Sequence, residues 1–275
     1  MSARIDRLAR RVVGSVPVLS RNRALMAAAD ALDQVVSFPF PELRSLPPNR
    51  MRIRVGVGNR LLFNGVGFLE YGAGTVVELM SNGYLTLDSR VVDIGCGCGR
   101  FPHALARHGF RGVYDGIDVD AEMIEWCRAH FAGDEYRFHT ADVFSTVYNP
   151  TGQRAGYRLP LDDGGADLVL GQSVFTHLLE DEVRSYVDEA ARVLAEGRHM
   201  VMGVFSLEEM AAQGQLGGRW TFRHQVGRAR VEKRELPEAA VAYERSFLLG
   251  LCEEAGFADA RLVARQPQSL LIATR

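Results

Sequence analysis

The sequence predicts an α/β fold: a mostly parallel sheet of seven strands, helices on both faces and a helical N-terminal arm. Three observations carry this expectation. From residue 90 onward, short apolar runs alternate with segments of helical spacing. The run Ala166–Ser173 is nearly all apolar, as a strand buried on both faces should be. The run Arg90–Gly95 opens into a glycine-rich turn that feeds directly into a helical pattern.

Taken in order, residues 1–36 read as helix in two pieces, broken near Gly14–Pro17. Ser37–Asn49 is a connector with Phe38-Pro39-Phe40-Pro41 and Pro47-Pro48. Such a stretch cannot continue a helix and favours extended backbone. A helical arm and connector are therefore expected over 1–50, and the main domain over 51–275. Residues 50–88 are glycine-rich, with a helix expected from about Gly74 to Asn82.

The regular part then begins. Strands are expected at Arg90–Gly95, Val113–Val119, Tyr136–Asp142, Ala166–Ser173, His199–Phe205, Arg261–Ala264 and Ser269–Thr274. Helices are expected at Phe101–His108, Ala121–Phe131, Glu180–Ala195 and Ala239–Ala255, the last stopped by Gly256. In Glu180–Ala195 the residues Val183, Tyr186, Val187, Ala190, Val193 and Leu194 follow helical spacing. Its acidic first turn suits the positive end of the helix dipole. Two long connections, about 144–165 and 207–237, read as lid-like insertions over the edge of the sheet. They carry Tyr148, Pro150, Tyr157 and Pro160, and Trp220, Phe222, Arg223 and His224.

Composition narrows the function. Hydrophobic residues make up 47% and charged residues 24%, with net charge −2, an ordinary balance that points to no nucleic-acid partner. The charge is uneven: residues 1–54 hold ten arginines against Asp6, Asp30, Asp33 and Glu42. This basic arm reads as a solvated face or as a contact for an acidic partner or membrane surface. No apolar run approaches the roughly 20 residues needed to span a bilayer. Cys96, Cys98, Cys127 and Cys252 lie in a glycine turn and in helical patterns, usage that fits a reducing, cytoplasmic setting. Their spacing is not that of zinc ligands, and no metal site is expected.

The turn Asp93-Ile94-Gly95-Cys96-Gly97-Cys98-Gly99-Arg100 decides the cofactor. Glycines at alternate positions let a ligand approach the backbone, and the helix N-terminus that follows presents unpaired N–H groups. Asp118 ends the second strand, where an acid in this topology bonds ribose hydroxyls. A dinucleotide site wants a longer glycine spacing and a pyrophosphate on the helix. A carboxylate at Asp93 would repel a pyrophosphate, but it attracts S-adenosylmethionine, which carries an ammonium and a sulfonium.

Val91–Arg100 resembles the first motif of the class I, Rossmann-like S-adenosylmethionine-dependent methyltransferases. Gly116–Asp120, Thr140–Val143, Asp167–Leu170 and Arg192–Gly197 resemble their later motifs in the same order, and Ser269–Arg275 resembles their terminal antiparallel strand. The resemblance covers roughly residues 60–275 and implies strand order 3-2-1-4-5-7-6. It also implies that Asp93, Gly95, Gly97 and Gly99 line the methionine part of the cofactor. Asp118 would bind the ribose, Asp142 and Val143 would frame the adenine, and Gln172 would flank the cofactor amino group. Arg100 would orient the loop or meet the cofactor carboxylate, and Tyr71 would cover the cofactor.

Methyl transfer to a hydroxyl needs a proton acceptor. Ser173–Leu178 follows the fourth strand, at the edge where ligands meet such sheets, and His177 is the candidate base. A histidine there could instead only bond a backbone group. The form of this segment, with Val147–Pro150 before strand four, resembles a bacterial subgroup acting on saccharides or other small molecules. The expected acceptor is such a hydroxyl, the alternatives being a small-molecule amine or binding without turnover.

Overall fold

The computed structural model describes residues 23–55, 63–143, 151–153 and 157–275. The expected first helical piece with its break at Gly14–Pro17, and Tyr148 and Pro150 of the first insertion, lie outside the described residues. The chain enters as α1 (Arg23–Ser37), followed by two single-turn helices, α2 (Pro41–Arg44) and α3 (Asn49–Arg52). The connector is thus not simply extended. Pro41 opens α2 and Pro48 caps α3, positions where a helix needs no N–H from proline. Arg52 is fully buried and pairs with Asp33 of α1 at 2.8 Å, while its Nε donates to Asn64.

The next helix, α4, runs Gly65–Ser81, starting nine residues before the expected Gly74. Its glycines suggest a loop by propensity, but packing overrides that preference. A side chain at Gly72 would meet the carbonyl oxygen of Arg100 at 2.8 Å and Ala104 at 3.1 Å. The glycine is what lets α4 lie directly on α5 (Arg100–Arg107). Val76 and Leu79 share one buried cluster with Phe101, Ala104 and Leu105 of α5.

The sheet is parallel at its centre. β1 (Arg90–Ile94) lies between β2 (Val113–Asp118) and β4 (Ala166–Gly171), with β3 (Tyr136–Thr140) outside β2 and β5 (Leu194–Ser206) beside β4. Helix α6 (Ala121–His130) joins β2 to β3, and α7 (Glu180–Val193) precedes β5. The Glu182 carboxylate accepts the N–H of Leu179 and caps α7. β10 (Ser269–Thr274) runs antiparallel to both β5 and β9 (Asp259–Val263). These seven strands follow the implied order.

Among the described residues the sheet nevertheless has ten strands, not seven. After α8 (Leu207–Ala212), the segment expected as a second lid folds into β6 (His224–Val226) and β7 (Ala229–Val231). They join β8 (Val241–Tyr243), which pairs in parallel with the end of β5 through Phe205 and Ser206. Trp220 and Phe222 pack on Phe205 at ring distances of 5.1 and 5.5 Å, so they fasten this extension rather than the arm. The short strands lack the long apolar runs that mark strands in the sequence. The expected helix over Ala239–Ala255 accordingly begins later, as α9 (Arg245–Glu254).

The described end of the first insertion is strapped onto α7. Arg192 donates to the carbonyls of Leu159 and Leu161 at 3.0 and 2.9 Å, and Leu159 N–H donates to Glu189. No helix among the described residues is long and apolar enough to cross a membrane.

Candidate active site

The site is built from the carboxyl ends of β1, β2 and β4. Gly95, Gly97 and Gly99 have φ of 75°, 56° and 83°, a left-handed backbone that L side chains resist. The N–H groups of Gly95 and Cys96 both donate to the Ile117 carbonyl, stapling the turn to the end of β2. A side chain at Gly97 would run into Val55 at 2.6 Å, and one at Gly95 into Val174 at 2.4 Å. Both flanks of the loop are therefore closely covered.

Asp118 accepts Gly97 N–H at 2.8 Å and Asp120 N–H at 2.9 Å, one on each oxygen. Each oxygen keeps further acceptor capacity for a ligand hydroxyl. Burial raises its pKa, and the backbone donors oppose that rise. Asp93 is buried at the end of β1 and accepts the Tyr114 hydroxyl at 2.7 Å. Burial pushes its pKa up to about 7, against the pull of Tyr114 and Arg100. A cation placed beside it would favour the carboxylate.

Arg100 sits across the loop. It donates to Gln172 Oε1 at 3.0 Å and to the Val55 carbonyl at 3.2 Å, and its guanidinium lies 4.0 Å from the Tyr71 ring centroid. Gln172 donates in turn to Thr75 at 3.0 Å. The Arg100 Nε is buried with no partner among the described residues. An orphaned cationic donor beside a glycine turn fits a ligand carboxylate. With the Asp93 carboxylate for a cation and Asp118 for hydroxyls, the donor set suits all three parts of S-adenosylmethionine.

Asp142 and Val143 follow β3. Val143 is buried and bridges Gln153, Asp142 is exposed, and Ala141 N–H donates to the Asp118 carbonyl. His177 ends the 3-10 turn Phe175–His177 and is exposed, with Nδ1 2.8 Å from the Glu238 carbonyl. The structure thus brings Asp93, Gly95, Gly97, Gly99, Arg100, Asp118, Gln172 and Tyr71 into one connected cluster. Asp142 and Val143 stand beside Asp118, and His177 stands farther along the edge.

Several neighbours had no sequence signal. Ser173 takes φ of 61° and donates to Gln268 Oε1 at 3.0 Å, a partner far off in the chain. Arg265, from the same β9–β10 loop, pairs with Glu78 at 2.7 Å and reaches the Tyr71 hydroxyl at 3.5 Å. Thr75 stands one turn beyond Tyr71 and was legible in principle, had α4 been expected to start earlier. A cleft of about 640 Å³ lies elsewhere, lined by Arg90, Asp115, Arg137 and residues 158–163. These strand residues stand at amino-terminal halves, away from the glycine turn.

Residues 92–202 match a family described as methyltransferase domain. That stretch of the chain is similar to the methyltransferase domain family. The matched stretch runs from β1 into β5 and contains every predicted site residue except Tyr71. A curated relative is the malonyl-[acyl-carrier protein] O-methyltransferase of Hahella chejuensis, 28% identical over 170 residues. The aligned stretch is 60% of this chain, and it spans about half, 52%, of that relative.

Among solved structures, an S-adenosylmethionine-dependent methyltransferase from Mesorhizobium loti is 19% identical with a TM-score of 0.51, covering 74% of this chain and all of that one (100%). The S-adenosylmethionine-dependent methyltransferase SibL, in its apo form, is 17% identical with a TM-score of 0.52, covering 100% of this chain and 76% of that one. These likenesses show a shared fold.

Proposed function

We propose that the chain transfers the methyl group of S-adenosylmethionine to a hydroxyl of a small molecule or saccharide. One observation carries the choice of a hydroxyl. His177 Nδ1 faces the Glu238 carbonyl at 2.8 Å, and a carbonyl only accepts. Nδ1 therefore holds the proton and donates it, leaving Nε2 as the basic nitrogen of the neutral ring. The ring is exposed on the edge that also carries the glycine turn, where an acceptor has access to it.

Bound, the cofactor supplies an electrophilic methyl and a neutral thioether leaving group. The chain holds and orients it. Asp93 balances positive charge, Asp118 binds ribose hydroxyls, and Asp142 with Val143 frames the adenine. Gln172, Arg100 and Tyr71 hold the amino-acid end, while Gly95, Gly97 and Gly99 allow close approach. His177 would take the proton of the acceptor hydroxyl. The four buried free cysteines support a reducing, cytoplasmic setting.

The curated O-methyltransferase relative supports a second reading within oxygen transfer. An acidic oxygen acceptor is already ionised at neutral pH and needs no base. Calorimetry with the methyl donor, followed by turnover of candidate acceptors by His177→Ala, tests both. A fall of about 10²-fold or more in rate, with cofactor affinity kept, supports the base. A near-normal rate moves the reading to an ionised oxygen or an amine. Tight uptake of a nicotinamide dinucleotide, with none of the methyl donor, ends the proposal.

A further inference from the structure

Helix α1 is turned inside out relative to an ordinary surface helix. Its acids, Asp30 and Asp33, face the body of the protein, where they pair with Arg50 and Arg52. Its outer face carries Ala24, Ala27, Ala28, Ala31, Leu32, Val35 and Val36, all exposed, and Gln34 is its one polar residue. Val35 is 70% exposed, and Phe38, just past the helix, 69%. Phe40 extends the same apolar stretch, and Arg44 stacks on Phe38 at 5.4 Å from the ring centroid. A surface helix normally shows its charges to water and its apolar stripe to the core. Burying the charges as ion pairs while leaving the apolar side open marks this side as a docking surface.

We propose that this face docks on an anionic lipid surface. Charge complementarity selects the occupant. The segment leading into α1 carries Arg4, Arg7, Arg10, Arg11, Arg21 and Arg23 against a single acid, Asp6. Such cations are attracted to an anionic bilayer, and the uncharged outer face of α1 suits the headgroup–acyl boundary. Membrane contact here is peripheral. It places the methyltransferase domain beside a lipid surface without a spanning helix.

Flotation of the full chain with vesicles tests the proposal, using phosphatidylcholine alone or with about a third phosphatidylglycerol. The wild type is expected to float with the anionic vesicles at least about tenfold better than with the neutral ones, and to be released by high salt. Val35→Asp with Val36→Asp places acids on the exposed face and should abolish flotation. Melting temperature and cofactor affinity should stay unchanged, which controls for folding. Replacing Arg4, Arg7, Arg10 and Arg11 by Gln should weaken flotation about as strongly.

Absence of wild-type flotation on anionic vesicles at low salt overturns the proposal. So does flotation that survives the two aspartates, which marks simple attraction by the arginines. A stable dimer that the aspartates dissociate, without vesicle binding, assigns the face to a second copy instead. Arginine replacements that leave flotation intact would assign the docking to something other than charge and apolar contact together.

Discussion

The two halves of the ligand-facing edge are assembled differently. On the cofactor side, Asp93, the three loop glycines, Arg100 and Asp118 come from one short stretch, and backbone bonds tie them together. On the opposite side, each contact joins distant segments: Ser173 with Gln268, and His177 with Glu238. The first half is fixed by local chain geometry. The second is fixed by how β5, β8 and β10 pack, and so it is free to vary with the acceptor while the cofactor half is kept.

Breaking the cofactor half should therefore give the largest effect. Asp118→Ala removes a ligand for ribose and the anchor of Gly97 N–H together. Two charge-assisted hydrogen bonds at about 1.5–3 kcal/mol each put the loss of cofactor affinity at roughly 10²-fold or more. Calorimetry reads it directly. Affinity within a few-fold of wild type would mean that Asp118 merely braces the turn.

Asp93 sharpens the comparison, because affinity and stability respond to it in opposite senses. Its pKa is raised from 3.8 to about 7 by burial. In the unfolded chain the group ionises near 4, so the folded protein holds an extra proton between about pH 4 and 7. Stability from this group is present below that window and is lost as pH rises through 7. Affinity for a cationic cofactor runs the other way and rises with pH through 7, as the carboxylate forms. Asp93→Asn should weaken the cofactor about tenfold at pH 8, flatten the pH dependence of binding and raise the apo melting temperature by a few degrees there. A variant that binds normally at pH 8 would dismiss the electrostatic role.

The same contrast explains what could be read from the sequence. The central strands and the glycine turn were legible because a buried parallel strand is an unbroken apolar run, and a left-handed turn demands glycine. The start of α4 was not, since Gly65, Gly67 and Gly72 speak against a helix until Gly72 is seen lying on the Arg100 carbonyl. Nor were β6–β8, at three residues each too short for a periodic pattern to emerge. The Ser173–Gln268 bond left no trace, because no spacing encodes a contact between a strand end and a remote loop.

On the acceptor side, the effect should be smaller and of a different kind. Gln268→Ala removes the Gln268 partner of the Ser173 hydroxyl and relaxes the strained turn after β4. A turnover drop of roughly three- to tenfold is expected, about 1 kcal/mol for one hydrogen bond, with cofactor affinity unchanged. Equal losses in cofactor binding and turnover would show that the two halves are not separable in this way.

The smallest effect belongs to the seam between the cofactor half and the arm. Arg54 pairs with Asp120 and with Glu122, next to the ribose acid, and Arg50 also reaches Glu122 at 3.3 Å. Val55 then lies over Gly97, so this segment covers the turn. The pairs are partly exposed, and exposed pairs contribute about 0–1 kcal/mol. Arg54→Ala should accordingly leave the melting temperature nearly unchanged and speed cofactor release two- to fivefold in stopped flow. Raising salt should quicken release from the wild type and hardly affect the variant, since the ions screen a pair the variant lacks. Salt responses of equal size in both proteins would assign the seam to apolar packing by Val55 alone.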